Sequence, residues 1–228
     1  MVEPHFTPHL FRFLRDLKKN NERDWFLAHK KRYEEHVRDP MCRFVEELAP
    51  ELRRISRHYV ADPRPVGGSL FRIQRDTRFS PDKTPYKTHA AIQLRHAQGR
   101  DVHAPGFYLH LESGSVFAGG GLWHPDGATL AQVRSALVAH PERWKKALSA
   151  RSFRALLTIE GEKLSRPPRG YDPEHPLIED IKRKDFVCLS TLSEEDACTA
   201  GFLEKFIQVC SAAAPFMEFL TVSVGLSW

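Results

Sequence analysis

FYLHLESGSVF, residues 107–117, decides the fold. Phe107, Leu109 and Leu111 alternate with Tyr108, His110 and Glu112, the two-residue period that sends one set to each face of a β-strand. Ser113 and Gly114 then supply a tight turn, and Val116 and Phe117 begin a strand running back. A hairpin with one apolar and one polar face predicts an antiparallel sheet packed on one side.

Upstream, residues 88–96 repeat the alternation. Ala90, Ile92 and Leu94 lie on one side, and His89, Ala91, Gln93 and Arg95 on the other. Residues 69–75 alternate less cleanly through Leu70, Phe71 and Ile73 and are expected to form the first strand. Downstream, the hairpin runs into Gly119, Gly120 and Gly121, then Leu122, Trp123, His124 and Pro125. Consecutive glycines in a strand mark a bulge or the close approach of a backbone or ligand. Residues 186–192 read as a last strand, so about four to five are expected.

The flanking text is helical. Thr7 before Pro8 is a helix start, and Leu10, Phe11, Leu14 and Leu17 make an apolar stripe at helical spacing. Asn20 and Asn21 break that helix, and Asn21 is expected to cap the next, with Asp24 in its first turn. Asp39 and Pro40 repeat the start signal, and Pro50 predicts a break. Helices return from Thr129 and Pro141, with a short one around Phe153. Ser193, with Asp196 three residues on, predicts a capped C-terminal helix interrupted at Pro215. The whole is expected to be one α+β domain, helical over 7–58, mainly sheet over 69–123, and helical with one further strand over 128–228.

The 228 residues can bury a core without staples, and 41% hydrophobic with 28% charged residues is a globular composition. A net charge of +5 permits an acidic partner but falls short of a dedicated nucleic-acid protein. Cys42, Cys188, Cys198 and Cys210 contain no C-x-x-C pair and are expected to be free thiols in a reducing cytosol. The N-terminal text lacks signal-peptide features, and no membrane-spanning run is expected, which places the protein in the cytoplasm.

Most chemistry-bearing motifs are missing. There is no G-x-x-x-x-G-K-[ST] loop, no dinucleotide fingerprint, no H-E-x-x-H and no G-x-S-x-G elbow. The twelve histidines are scattered, with His103, His110 and His124 near the sheet segments, and no Cys/His cluster has zinc spacing. Neither a metal nor a cofactor is expected.

One segment stands out. Residues 72–87 hold Arg72, Arg75, Arg78, Lys83 and Lys87 against only Asp76 and Asp82, with Tyr86 among them. Arginine forks at a strand end can grip phosphate or carboxylate oxygens in bidentate fashion. The alternative is that Asp76 and its neighbours pair these cations as a structural network. The segment RPPRGYD, with Arg166, Arg169 and Tyr171, is a second candidate anion contact, and Trp123 and His124 a third element facing the same site.

The pattern R72-x-x-R75-D76-x-R78-F79-x-x-x-K83-x-x-Y86, with GGGLWHP at 119–125 and RPPRGYD at 166–172, resembles the signature of a widespread bacterial family, domain of unknown function 2461. The resemblance covers nearly the whole chain and implies no established activity or catalytic residue.

Three functions compete. The first is a module binding a small phosphorylated or carboxylated ligand, with nucleic acid a less favoured version. The second is an enzyme on an anionic substrate, in which Asp76, Tyr86 or His124 would move the proton. The third is a scaffold or interaction protein with an internal ion-pair network.

Overall fold

The computed structural model describes residues 3–99 and 104–228, so His103 lies outside the described residues. The chain opens with α1 (Pro8–Lys19), α2 (Arg23–Ala28), α3 (Lys30–Tyr33), a π-helical turn (Glu34–Arg38) and α4 (Asp39–Ile55). Strands β1 (Tyr59–Val60), β2 (His89–His96), β3 (Gly106–Glu112) and β4 (Ser115–Leu122) follow. Next come α5 (Gly127–Ala139), α6 (Pro141–Ser149), α7 (Arg151–Leu156) and β5 (Thr158–Glu160). The chain closes with α8 (Ile178–Ile181), β6 (Phe186–Leu192), α9 (Glu194–Ala197) and α10 (Phe202–Ser223).

The fold is α+β, with a six-stranded antiparallel sheet in the order β1-β2-β3-β4-β6-β5 and helices flanking it. The predicted hairpin is its centre: Glu112 faces Ser115 and Phe107 faces Gly120. Six strands stand against the four to five expected; β1 and β5, two and three residues long, lie outside that expectation because they are too short to carry a period.

Ile92, Leu94, Phe107, Leu109, Leu111, Val116 and Ala118 are buried on the helix-covered face. There they join Leu10, Phe44, Leu48, Phe206 and Met217 in one connected core.

Residues 69–75 do not form the expected first strand. They touch the edge of β2 and its approach only at the isolated bridges Leu70↔Ile92 and Gln74↔Tyr86. Between those bridges, the four steps from 70 to 74 oppose six from 86 to 92, so the ladder is interrupted by a bulge.

The proline breaks are also absent, because α4 runs through Pro50 and α10 through Pro215. An interior proline costs about 3 kcal/mol, but each helix has buried faces on both sides of it. These are Phe44, Val45 and Leu48 before Pro50 with Leu52 after, and Cys210 and Ala213 before Pro215 with Phe216 and Leu220 after. Burial of both halves holds the helix together.

Ser193 and Asp196 do form the capping box, but it closes the four-residue α9, and α10 starts separately after Gly201. Contrary to expectation, α10, with 22 residues, is long and apolar enough by length and composition to cross a membrane. Here it packs against β4, α4 and α6, with more than half of its apolar stretch buried inside the protein.

Asn21 does not cap α2, whose N-cap is Glu22. Its amide instead clamps the basic segment: Tyr86 N–H donates to Oδ1 at 3.0 Å, and Nδ2 donates to the Tyr86 carbonyl at 2.9 Å. Replacing Asn21 by alanine leaves both backbone groups without these partners. The expected loss is about 1–3 kcal/mol, read by urea unfolding. A loss below about 0.5 kcal/mol would mean water replaces the clamp.

Candidate functional site

The basic segment is a ribbon whose two arms are held by Lys87 N–H to the Ile73 carbonyl and Arg75 N–H to the Pro85 carbonyl, 2.8 and 2.9 Å. Its tip, residues 76–84, projects beyond the end of β2. Two of the three arginines are satisfied within it. Arg78 grips Asp76 through Nε at 3.0 Å and Nη2 at 2.7 Å, and holds that carboxyl down to about 2. Arg75 pairs with Asp82 and with the Thr84 hydroxyl. The Thr84 backbone N–H, followed by Arg75, lowers Asp82 to about 2. Lys83 donates to the Thr77 carbonyl at 2.9 Å.

Tyr86 is not a surface donor. It is 7% exposed and stacks on Phe26 with ring centroids 4.2 Å apart.

Arg72 and Lys87 differ from the other motif cations. Neither side chain forms a hydrogen bond or an ion pair with a described residue. The Lys87 ammonium lies 4.9 Å from the centre of the Phe71 ring, a cation–π distance. Burial first, and then the Arg72 charge, push its pKa below the ordinary lysine value.

The Lys87 side chain adjoins the polar face of the sheet, where His89, Tyr108, His110, Glu112 and Phe117 project. Phe71 meets the Tyr108 ring at 6.2 Å, and His110 lies flat on Phe117 at 4.6 Å. Burial, then His110 and Lys87, depress His89 to about 4, so its imidazole is neutral at physiological pH. Burial lowers His110 in the same direction and pushes the Tyr108 phenol up to about 12.

The other predicted elements are elsewhere. Gly121 lies opposite Gly106 and Val187, whereas the basic ribbon leaves β2 at His89, opposite Glu112. Trp123 and His124, which follow β4, therefore sit at the opposite end of the strands from Arg72–Lys87. They do not face the ribbon, as the sequence suggested.

The reason is the register, since neighbouring strands run in opposite directions. His124 is tied there by its own backbone. It has φ 47°, its N–H donates to buried Asp185 at 2.7 Å, and its Nδ1 lies 3.4 Å from the same carboxylate. These contacts fix the turn that follows β4. The glycine run is explained by backbone crowding: a Cβ on Gly119 would lie 1.9 Å from the Cys188 carbonyl oxygen.

Arg166 and Arg169 are exposed in the loop before α8 and form no ion pair with a described residue. That loop follows β5 and precedes β6, across three strands from the ribbon.

The family described as conserved hypothetical protein (DUF2461) matches residues 9–219. The chain belongs to that family. No curated protein matches it.

Within this DUF2461 chain the structure joins residues that the sequence did not. His89, His110 and Glu112 offer ligand atoms that all lie within 4.8 Å of one another. His110 and Glu112 are two apart on one strand, a visible signal. His89 joins them only because it pairs with Glu112 across β2 and β3. The connection between those strands is too long for a turn type to set the register. All four cysteines are free thiols, with Cys188 and Cys210 buried.

Proposed function

We propose that this DUF2461 protein binds a small phosphorylated or carboxylated ligand, with Lys87 and Arg72 as its charged contacts and Phe71 and Tyr108 beside them. The observation that carries this is the partly buried Lys87 ammonium, set against the Arg72 charge, with neither side chain in a salt bridge or hydrogen bond to a described residue. Only the Arg72 charge reaches a carboxylate, Asp76, which Arg78 already grips. Holding a half-buried ammonium beside a second, exposed cation is costly without an anion. The arginines already satisfied, Arg75 and Arg78, shape the ribbon tip rather than hold the ligand. A binder is preferred to an enzyme because none of the three proposed proton carriers suits the task. Asp76 is locked to Arg78, Tyr86 is packed on Phe26, and His124 lies at the opposite end of the strands from Lys87. The free thiols support a cytoplasmic setting.

A thermal-shift series tests this with inorganic phosphate, nucleotides, sugar phosphates, dicarboxylates and short oligonucleotides. A ligand at about a hundredfold its dissociation constant adds about 2.7 kcal/mol. For a chain of this size that is a rise of about 5–10 °C. Arg72→Ala and Lys87→Met are expected to abolish the rise, while Arg78→Ala keeps it. Stabilisation by oligonucleotides alone, collapsing as salt increases, would turn the assignment to nucleic acid. No stabilisation by any compound removes it.

A further inference from the structure

We propose that His89, His110 and Glu112 bind one divalent transition ion of the zinc type on the polar face of the sheet. The trio is assembled by pairing rather than by a loop. Glu112 and His110 project from the same side of β3, and His89 faces Glu112 from β2.

A tetrahedral ion with ligand bonds of about 2.1 Å holds its ligand atoms about 3.4 Å apart. His110 Nε2 and Glu112 Oε2 are already 3.5 Å apart. The remaining separations are no greater than 4.8 Å, so a rotation of the His89 ring closes the set.

The atoms behind the ligands are held as such sites require. The Tyr108 hydroxyl lies 3.2 Å from His110 Nδ1, which leaves Nε2 to face Glu112. The Thr88 hydroxyl donates to Glu112 Oε1 at 2.8 Å, leaving Oε2 toward the histidines. His110 is pinned against Phe117 by flat stacking, with 9° between the rings. His89 makes no hydrogen bond to a described residue, so its lone pair is available.

The donor set selects the ion. Two imidazoles and one carboxylate suit zinc, iron(II) or nickel, whereas magnesium and calcium prefer oxygen alone. Lys18, 3.6 Å from Glu112 Oε1, and Lys87 beyond His89 bring positive charge to the rim. Affinity therefore depends on nitrogen coordination, not on bulk negative charge. Three protein ligands leave a position open to solvent, as in catalytic rather than structural zinc sites. The ion site stands apart from the anion proposal, since it needs neither Arg72 nor Lys87.

The test is titration of the full chain with Zn2+ in a non-coordinating buffer free of phosphate, followed calorimetrically, with Co2+ absorption as a second probe. One equivalent is expected to bind, with Mg2+ not competing. His89→Gln and Glu112→Gln are each expected to weaken binding by about a hundredfold or more, beyond the 10–100-fold typical of supporting residues. Tyr108→Phe, which leaves all three ligands in place, is expected to lose about tenfold.

Amide broadening by Co2+ in the unmodified chain gives a measurement independent of any variant's folding. Broadening centred on residues 88–112 supports the site. Centring on the stacked pairs His9–His36 or His58–His96, or undiminished zinc binding in folded His89→Gln and Glu112→Gln, overturns it.

Discussion

Replacing Tyr86 by alanine is expected to destabilise the protein by about 3–5 kcal/mol, the cost of emptying a large aromatic site in a packed core. The ring is 7% exposed and stacks on Phe26 at 4.2 Å with 21° between the planes. Phe26 in turn contacts Tyr33 and Phe13, so the cavity would open into an aromatic cluster that joins α1, α2 and α3. The Asn21 clamp holds the backbone of the same residue and is retained by alanine, so the loss reports the ring alone.

Tyr86→Phe keeps the ring and removes a hydroxyl that bonds no described residue, so its expected effect is under about 1 kcal/mol. Urea unfolding of the two variants separates the roles. If Tyr86→Phe were as damaging as Tyr86→Ala, the hydroxyl and not the ring would be what the motif preserves.

Gly119→Ala is expected to cost at least about 3 kcal/mol, at the upper end for overpacking. The new methyl would lie 1.9 Å from the Cys188 carbonyl oxygen, 2.9 Å from its carbonyl carbon and 3.0 Å from the Leu189 Cα. All three are backbone atoms of β6, and they cannot retreat without opening the β4–β6 ladder. For a chain of this size the melting temperature should fall by about 6–12 °C. Gly127→Ala is the control, since its Cβ meets nothing within 4 Å. It is expected to be neutral or to gain about 0.4–1 kcal/mol by restricting the unfolded chain. Equal melting of the two variants would show that β4 and β6 are not so closely paired.

The functional proposal depends on distinguishing cations that look alike in the sequence. Arg75 and Arg78 lie two residues or a short turn away from carboxylates, so local loop geometry satisfies them. Lys87 and Arg72 stand on the two arms of the ribbon, close enough for the Arg72 charge to lower Lys87, and neither forms a salt bridge with Asp76 or Asp82. Density of basic residues marked the region. Only the pairing pattern separates charges already answered from those still open.

Legibility in the sequence followed the range of the physical cause. The β3–β4 hairpin was readable because alternation and a Ser-Gly turn are local. So was the Ser193–Asp196 capping box, whose partners are three residues apart. The prolines at 50 and 215 misled, because the helix penalty is local whereas the compensating burial of Phe44, Leu52, Phe216 and Leu220 is tertiary. Asn21 misled for a related reason. Its local option was to cap α2, and the backbone of Tyr86, sixty-five residues away, held it instead.

By itself the sequence determined the α+β class, the two faces of the central strands, the family to which the chain belongs and the segment richest in unbalanced charge. Period, turn chemistry and composition act over a few residues and need no partner. The tertiary structure decided the rest. It placed Trp123 and His124 at the far end of the sheet from Lys87, turned Tyr86 inward, and set His89 against His110 and Glu112. The last of these depends on strand register, since a shift of one residue would send every side chain of a strand to the opposite face. Burial of the whole apolar face against the helices selects that register, and such burial exists only once the chain has folded.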